Sequence, residues 1–262
     1  MNWNRSVRHR GFTLLELLAV IATIGVLVAM LLPVLNKTKI KAQLTNCRSN
    51  TKQLYLAWHM YTLDNNYLLV ESYPTNEAAW VQGNMTVSSE ATNSDLLKAG
   101  KLYDKSLSTS VYHCPGDKGV TINGTPVPSV RSYSMNCFMG ARSPNLGAIP
   151  WSADTENGQY VLYFSREDEI RKPEQLWVFI DEDERSINDG SFVTDPTAHL
   201  WYDFPALSAH RHNFSYTLAF ADGHADAWHL TDPRSFTVAE RETEASGNRD
   251  LMRVANGTTV PR

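Results

Sequence analysis

Residues 10–35 read RGFTLLELLAVIATIGVLVAMLLPVL, and the meaning of the rest of the chain depends on this stretch. From Phe12 to Leu35 the only charged residue is Glu16. As a helix rising about 1.5 Å per residue the run is roughly 36 Å long, more than the ~30 Å hydrocarbon core of a bilayer. Three readings compete: a buried core helix, a secretory signal and a membrane anchor. Length and lack of charge argue against the first. A secretory signal has a shorter apolar region followed by small residues at a cleavage site, whereas Pro33 and Asn36-Lys37-Thr38-Lys39 follow here. A retained membrane helix is therefore expected. Charge alone does not orient it, because Arg5, Arg8 and Arg10 precede the span and Lys37, Lys39 and Lys41 follow it.

With 262 residues, 42% hydrophobic and 20% charged, the chain can form one or two domains with a substantial core. That composition excludes wholesale disorder and a multi-span membrane protein. The formal net charge of −4 provides no basic field, so no nucleic-acid partner is expected.

The segment Arg10-Gly11-Phe12-Thr13-Leu14-Leu15-Glu16 closely resembles the cleavage and methylation motif of type IV prepilins and type II secretion pseudopilins. The resemblance implies a leader at residues 1–11, cut by a prepilin peptidase between Gly11 and Phe12, with methylation of the new Phe12 amine. It also implies a single-pass inner-membrane protein with the leader cytoplasmic and the globular domain periplasmic or extracellular. The partners implied are other pilin or pseudopilin subunits, an inner-membrane assembly platform and membrane lipid. Removing the leader takes away Arg5, Arg8 and Arg10 and no acid, so the mature chain is more acidic.

Glu16 also has a purely physical reading. A carboxylate inside a membrane helix costs about 2.5–3.5 kcal/mol on insertion scales. It lies one helical turn from the proposed amine at Phe12, where the helix N-terminus already favours negative charge. It can pair with its own terminus or with that of a neighbouring subunit. The resemblance implies the second pairing, which would set register during assembly; a Glu snorkelling to headgroups is the plain alternative. Pro33 removes a backbone donor and kinks or loosens a helix, and the resemblance makes it a place that melts during assembly.

Residues 12–35 thus read as the transmembrane helix and 36–63 as its amphipathic continuation. There Ile40, Leu44, Cys47, Thr51, Leu54, Trp58 and Tyr61 recur at spacings of four and three, one helical face. Asp64-Asn65-Asn66 reads as the helix end. Residues 64–239 read as a β-rich domain. Strands are expected at Ser110–His113, Val130–Met135, Tyr160–Phe164 and Leu176–Ile180, and a hairpin at Tyr216–Ala221 and Ala225–Leu230 around Asp222-Gly223. The segments 76–109 and 140–158 read as loop-rich, with a short helix near Asp95–Gly100. Residues 240–262 read as a polar, poorly ordered tail. The expected fold class is α+β, a long N-terminal helix packed on an antiparallel sheet.

His212, nine residues and then Asp222-Gly223 resemble the H-X9-DG signature of a pilin-like family. Cys114-Pro115-Gly116-Asp117 and Arg131-Ser132-Tyr133-Ser134-Met135-Asn136 resemble its other blocks. The signature names no activity. Asp222-Gly223 is first a hairpin turn, but His210, His212, Asp222 and His224 could converge on zinc. Asp181-Glu182-Asp183-Glu184 with Asn188-Asp189-Gly190 could offer oxygen ligands to calcium, although the spacing is not that of an EF-hand and solvated surface is the plainer reading. An exported domain with Cys47, Cys114 and Cys137 allows one disulfide in any of three pairings. With Cys47 on the buried stripe and Cys114 in the family-like Cys-Pro block, these two are expected to pair, leaving Cys137 buried and free.

No G-x-S-x-G, H-E-x-x-H or Walker A pattern occurs, so no enzyme is expected. The function expected is a structural pseudopilin or pilin subunit. The alternative is an anchored display protein offering Trp151, Trp201 and Trp228 to a carbohydrate or other ligand without polymerising, and the weakest reading is an anchored hydrolase using His212 and Asp222.

Overall fold

The computed structural model describes residues 14–73, 78–105, 108–140, 163–207 and 211–259. The chain divides into two units, Met1–Lys39 and Ile40–Arg262. Helix α1 runs Leu14–Asp64 with Pro33 inside it, so the proline does not end the helix. In the first unit the described residues are exposed almost throughout, and the segment is apolar enough to cross a membrane, with a mean hydropathy of 2.7 in its best window and no buried residue there. Apolar side chains left in water at this density require a lipid or protein partner.

In the second unit, α1 buries Cys47, Thr51, Leu54, Tyr55, Ala57, Trp58 and Thr62. This is the expected stripe, widened by Tyr55, Ala57 and Thr62, while Ile40, Leu44 and Tyr61 are half-buried. The helix stops where Asn66 and Tyr67 take left-handed backbone angles (φ 55° and 64°) and the Tyr67 amide turns back to donate to the Thr62 carbonyl.

Short helices α2 (Ser88–Ala91) and α3 (Asp95–Lys98) follow, then a hairpin of β1 (Val120–Ile122) and β2 (Thr125–Val127). The main sheet has five strands: β3 (Tyr133–Asn136), β4 (Trp177–Asp181), β5 (Ser191–Phe192), β7 (Ser215–Phe220) and β8 (Ala225–His229), in the order β5-β3-β4-β7-β8. A two-stranded pair, β6 (Leu200–Trp201) with β9 (Thr243–Glu244), stands apart. Neighbours in the main sheet are antiparallel except β3 with β5, which run parallel.

Every residue of β4 is buried, because both faces of the sheet are covered. A register shift between Trp177 and Phe179 sends Val178 and Phe179 to the same side. There they join Leu54, Trp58, Trp80 and Met135 in the core beneath α1. On the other side Trp177 and Ile180 pack with Trp201, Leu218, Phe220, Leu251 and Val254.

Several expectations are corrected. Residues Thr109–Tyr112 form a 3-10 turn, not a strand, capped by the Ser108 side chain accepting from the Ser110 amide. The strand expected from Val130 starts at Tyr133. Of the strand expected at residues 160–164, the first three lie outside the described residues, and Phe164 makes an isolated bridge with Met139. Within the tail expected to be poorly ordered, α4 (Arg249–Asn256) forms and buries Leu251 and Val254, and residues 260–262 lie outside the described residues. The Asn248 side chain caps α4 by accepting from the Asp250 and Leu251 amides, and Trp177 Nε1 donates to the Val254 carbonyl at 3.0 Å. Few large apolar residues sit in this polar stretch, and of those in α4 only Leu251 and Val254 are buried while Met252 is exposed, so its core contact is invisible without its partners.

Candidate functional site

Glu16 stands in the first turn of α1 and Pro33 in its interior. Gly11 and Phe12 lie outside the described residues, as do His210 and Trp151.

His212 and Asp222, the two ends of the H-X9-DG block, occupy different places. Strand β7 lies between them, and six residues at ~3.3 Å each hold its ends about 20 Å apart. The zinc set expected from His210, His212, Asp222 and His224 therefore does not assemble. Asp222 and His224 are exposed at the hairpin turn and bond to each other, Nδ1 to Oδ1 at 2.6 Å.

The turn has its own task, which is to dock on α1. Tyr55 Oη donates to the Ala221 carbonyl at 3.2 Å, and Lys52 Nζ donates to the Gly223 carbonyl. Gly223 sits at φ +91°, and a Cβ there would come within 2.6 Å of the Tyr55 ring. Gly223→Ala thus carries about 1–2 kcal/mol of backbone penalty and about 1–3 kcal/mol of overpacking. A denaturant titration of the purified protein should show the midpoint falling accordingly. An unchanged midpoint would mean the turn does not bear on the helix.

His212 instead enters a buried cluster assembled from four separate parts of the chain. Cys47 comes from α1, Cys114 from the Cys-Pro-Gly-Asp loop, Asp181 from the end of β4 and His212 from the turn before β7. One ligand atom from each lies within 4.8 Å of all the others. Cys47 Sγ is 2.7 Å from Cys114 Sγ, with both thiols free. His212 Nε2 is 2.9 Å from Cys114 Sγ and 3.5 Å from Asp181 Oδ2. Cys137 is buried elsewhere, with its thiol pushed up to about 12 by that burial.

Arg211, fully buried beside His212, binds this cluster together. It donates to Asp181 Oδ1 and to the Ser132 carbonyl, and pairs with Asp117 at 3.5 Å and Glu184 at 3.3 Å. Ser132 Oγ in turn donates to Asp117 and accepts from the Cys114 amide. Burial works against ionisation of Cys114 and Asp117. For Cys114 the hydrogen bond with Cys47, the Arg211 charge and the contact with His212 outweigh it and lower the thiol to about 4. For Asp117 the Arg211 charge and the Ser132 and Gly119 hydrogen bonds outweigh it and hold the carboxyl low. The Cys47 thiol is raised, first by burial and then by its hydrogen bond with Cys114.

The blocks noted separately in the sequence (Cys114 to Asp117, Arg131 to Asn136, the acidic run from Asp181, and His212) therefore meet in one buried polar centre. Arg211 was not singled out in the sequence, although its position beside His212 was a usable signal. The acidic run does not form an open calcium loop. Asp181 faces Arg211, Glu182 accepts from Ser186 Oγ at 3.0 Å, Asp183 pairs with Arg185 at 2.7 Å and Asp189 accepts from the Ser191 amide. Of the tryptophans expected for a display site, Trp201 is buried in the core, and Trp228 is half-buried beneath the Arg253 guanidinium, 3.8 Å from the ring centroid.

No family model and no solved structure matches the chain. Curated relatives do. The chain is 35% identical over 134 residues, 48% of its length, to the type IV wide pilus major component PilA4 of Thermus thermophilus, covering 95% of that protein. It is 43% identical over 70 residues to type II secretion system core protein G of Pectobacterium carotovorum subsp. carotovorum, 27% of this chain and 42% of that one. It is 43% identical over 68 residues to type II secretion system core protein G of Escherichia coli (strain K12), 26% of this chain and 43% of that one. The matches thus span less than half the length of these secretion relatives. Matching nearly the whole of a type IV pilus component and carrying a long apolar N-terminal helix with a lone acid in its first turn, the chain belongs to the type IV pilin-like family of pilins and pseudopilins.

Proposed function

We propose that the chain is the precursor of a filament subunit, cut by a prepilin peptidase between Gly11 and Phe12 and methylated on the new amine. It then sits in the inner membrane through residues 12–35, with the domain beyond on the periplasmic or extracellular side. An assembly platform draws it, with other pilin-like subunits, into a type II secretion pseudopilus or a type IV pilus-like filament. The observation that carries this reading is Glu16: the one charged residue in the apolar, unburied N-terminal part of α1, set in its first turn. Its insertion cost of about 2.5–3.5 kcal/mol needs a compensating positive charge, and a newly made amine one turn away, its own or a neighbour's, supplies it. Catalysis has no part in this reading.

Two measurements test it. The intact mass of protein from the native host should lack residues 1–11 and carry one added methyl group; a chain that still begins at Met1, or is cut behind Leu35, refutes the reading. Glu16→Leu should still be processed yet be missing from sheared or pelleted filaments. A display protein would tolerate that change, so normal assembly of the variant would favour display.

A further inference from the structure

We propose that Cys47, Cys114, Asp181 and His212 form a closed, four-coordinate structural site for one zinc ion. All four residues are buried, and their ligand atoms lie within 4.8 Å of one another. A tetrahedron with Zn–S near 2.3 Å and Zn–N or Zn–O near 2.0 Å has edges of about 3.3–3.8 Å. The four ligand atoms converge, and with separations of 2.7, 2.9 and 3.5 Å among them the two sulfurs part by about 1 Å to admit the ion. Two thiolates with one imidazole and one carboxylate suit zinc, while the carboxylate speaks against cuprous copper and the sulfurs against magnesium or calcium. With no ligand reaching solvent, the site keeps no open position for a substrate water, which marks it as structural.

The sulfur and the carboxylate are supported from around the site, while His212 Nδ1 is buried with no hydrogen-bond partner among the described residues. The Gly116 amide donates to Cys114 Sγ at 3.3 Å, and Gly116 has no Cβ to crowd the His212 ring, whose Cε1 lies 3.3 Å from where that atom would be. Asp181 is oriented by Arg211 on Oδ1, which leaves Oδ2 buried with no hydrogen-bond partner among the described residues and facing His212 Nε2. Two thiolates and a carboxylate bring three negative charges, of which the ion offsets two; the adjoining Arg211 guanidinium is shared among Asp181, Asp117 and Glu184. His212, Asn213 and Phe214 all take left-handed backbone angles (φ 63°, 50° and 61°), a conformation that non-glycine residues hold only where the surroundings impose it. Here it turns the imidazole onto the sulfurs.

A disulfide between Cys47 and Cys114 would use the same two sulfur atoms. It would account for two of the four groups and leave His212 Nε2 and Asp181 Oδ2 only each other, 3.5 Å apart. The ion accounts for all four. It also joins α1, the Cys-Pro-Gly loop, β4 and the turn before β7, which are remote in sequence, and this holds whether or not the chain assembles into filaments.

Full-length protein extracted into detergent from its native membrane, with no metal or chelator added, should contain about one zinc per chain by elemental mass spectrometry. Cys47→Ser and His212→Gln should each lose it, and Cys137→Ser should keep it. Because a ligand variant can fail to fold, the wild-type protein exchanged with cobalt supplies a second reading. Thiolate-to-cobalt charge-transfer bands in the near ultraviolet, with visible bands of tetrahedral intensity, are expected. Metal-free protein overturns the proposal, whether its Cys47 and Cys114 peptides are disulfide-linked or both thiols are free. A cobalt spectrum lacking thiolate bands overturns it as well.

Discussion

Replacing Arg211 with leucine is expected to cost about 3–5 kcal/mol, because it strands buried carboxylates without their counter-charge. Arg211 is fully buried, bonds Asp181 directly and pairs with Asp117 and Glu184. Against a typical domain stability of about 5–15 kcal/mol, such a loss is about a fifth of the total or more. Lysine should be a poor substitute, since its single ammonium cannot reproduce a guanidinium that reaches Asp181, the Ser132 carbonyl and Asp117 at once.

The pH dependence gives the account a sign. In the wild type Asp117 is held below its usual range, so its contribution is present above about pH 4 and is lost as pH falls through its lowered folded value. Without Arg211 the same carboxyl is buried and unpaired, its folded value rises above the unfolded one, and its penalty is relieved as pH falls. Chemical denaturation at pH 5 and pH 8 should therefore show a smaller gap between variant and wild type at pH 5. A gap that is equal or larger at pH 5 would mean the loss is one of packing rather than charge.

Trp58→Ala should have a comparable effect through a different term. Trp58 has no exposed surface, and it sits in the core formed by α1, β4 and the segment around Trp80. Truncating a buried tryptophan typically costs about 3–5 kcal/mol, part in lost transfer energy and part in the cavity left behind. Its indole Nε1 has no hydrogen-bond partner among the described residues. Trp58→Phe removes that unsatisfied donor along with some volume, so it should cost much less than alanine. The denaturation midpoint should fall for both variants, far more for alanine, at an unchanged denaturant slope. Equal losses would show that shape, and not buried volume, is what the site demands.

Local patterns carried a good part of the architecture. The apolar run with Glu16 needs only its own length and charge to be read as a membrane-competent helix, because the bilayer is a solvent and not a partner with a specific shape. The four-and-three spacing through Cys47, Thr51, Leu54 and Trp58 marks a buried face for the same reason: helical period is local geometry. Strand β4 and the β7–β8 hairpin were legible from a short apolar run and from alternation around Asp222-Gly223. The 3-10 turn at Thr109–Tyr112 was not, because a short apolar run also suits a strand and only the Ser108 cap decides between them.

The polar centre was out of reach for a different reason. His212 belongs by sequence to a block ending at Asp222-Gly223, yet β7 carries those two ends apart and brings His212 to Cys114 and Asp181. Helix α4 likewise acquires its meaning from Trp177, far back in the chain. Patterns set by neighbours a turn or a strand apart can be read from order alone, since backbone geometry fixes them. Which remote side chains share a buried point depends on how the sheet, helix and loops pack. That packing placed Cys47, Cys114, Asp181, Arg211 and His212 together, and no spacing along the chain encodes it.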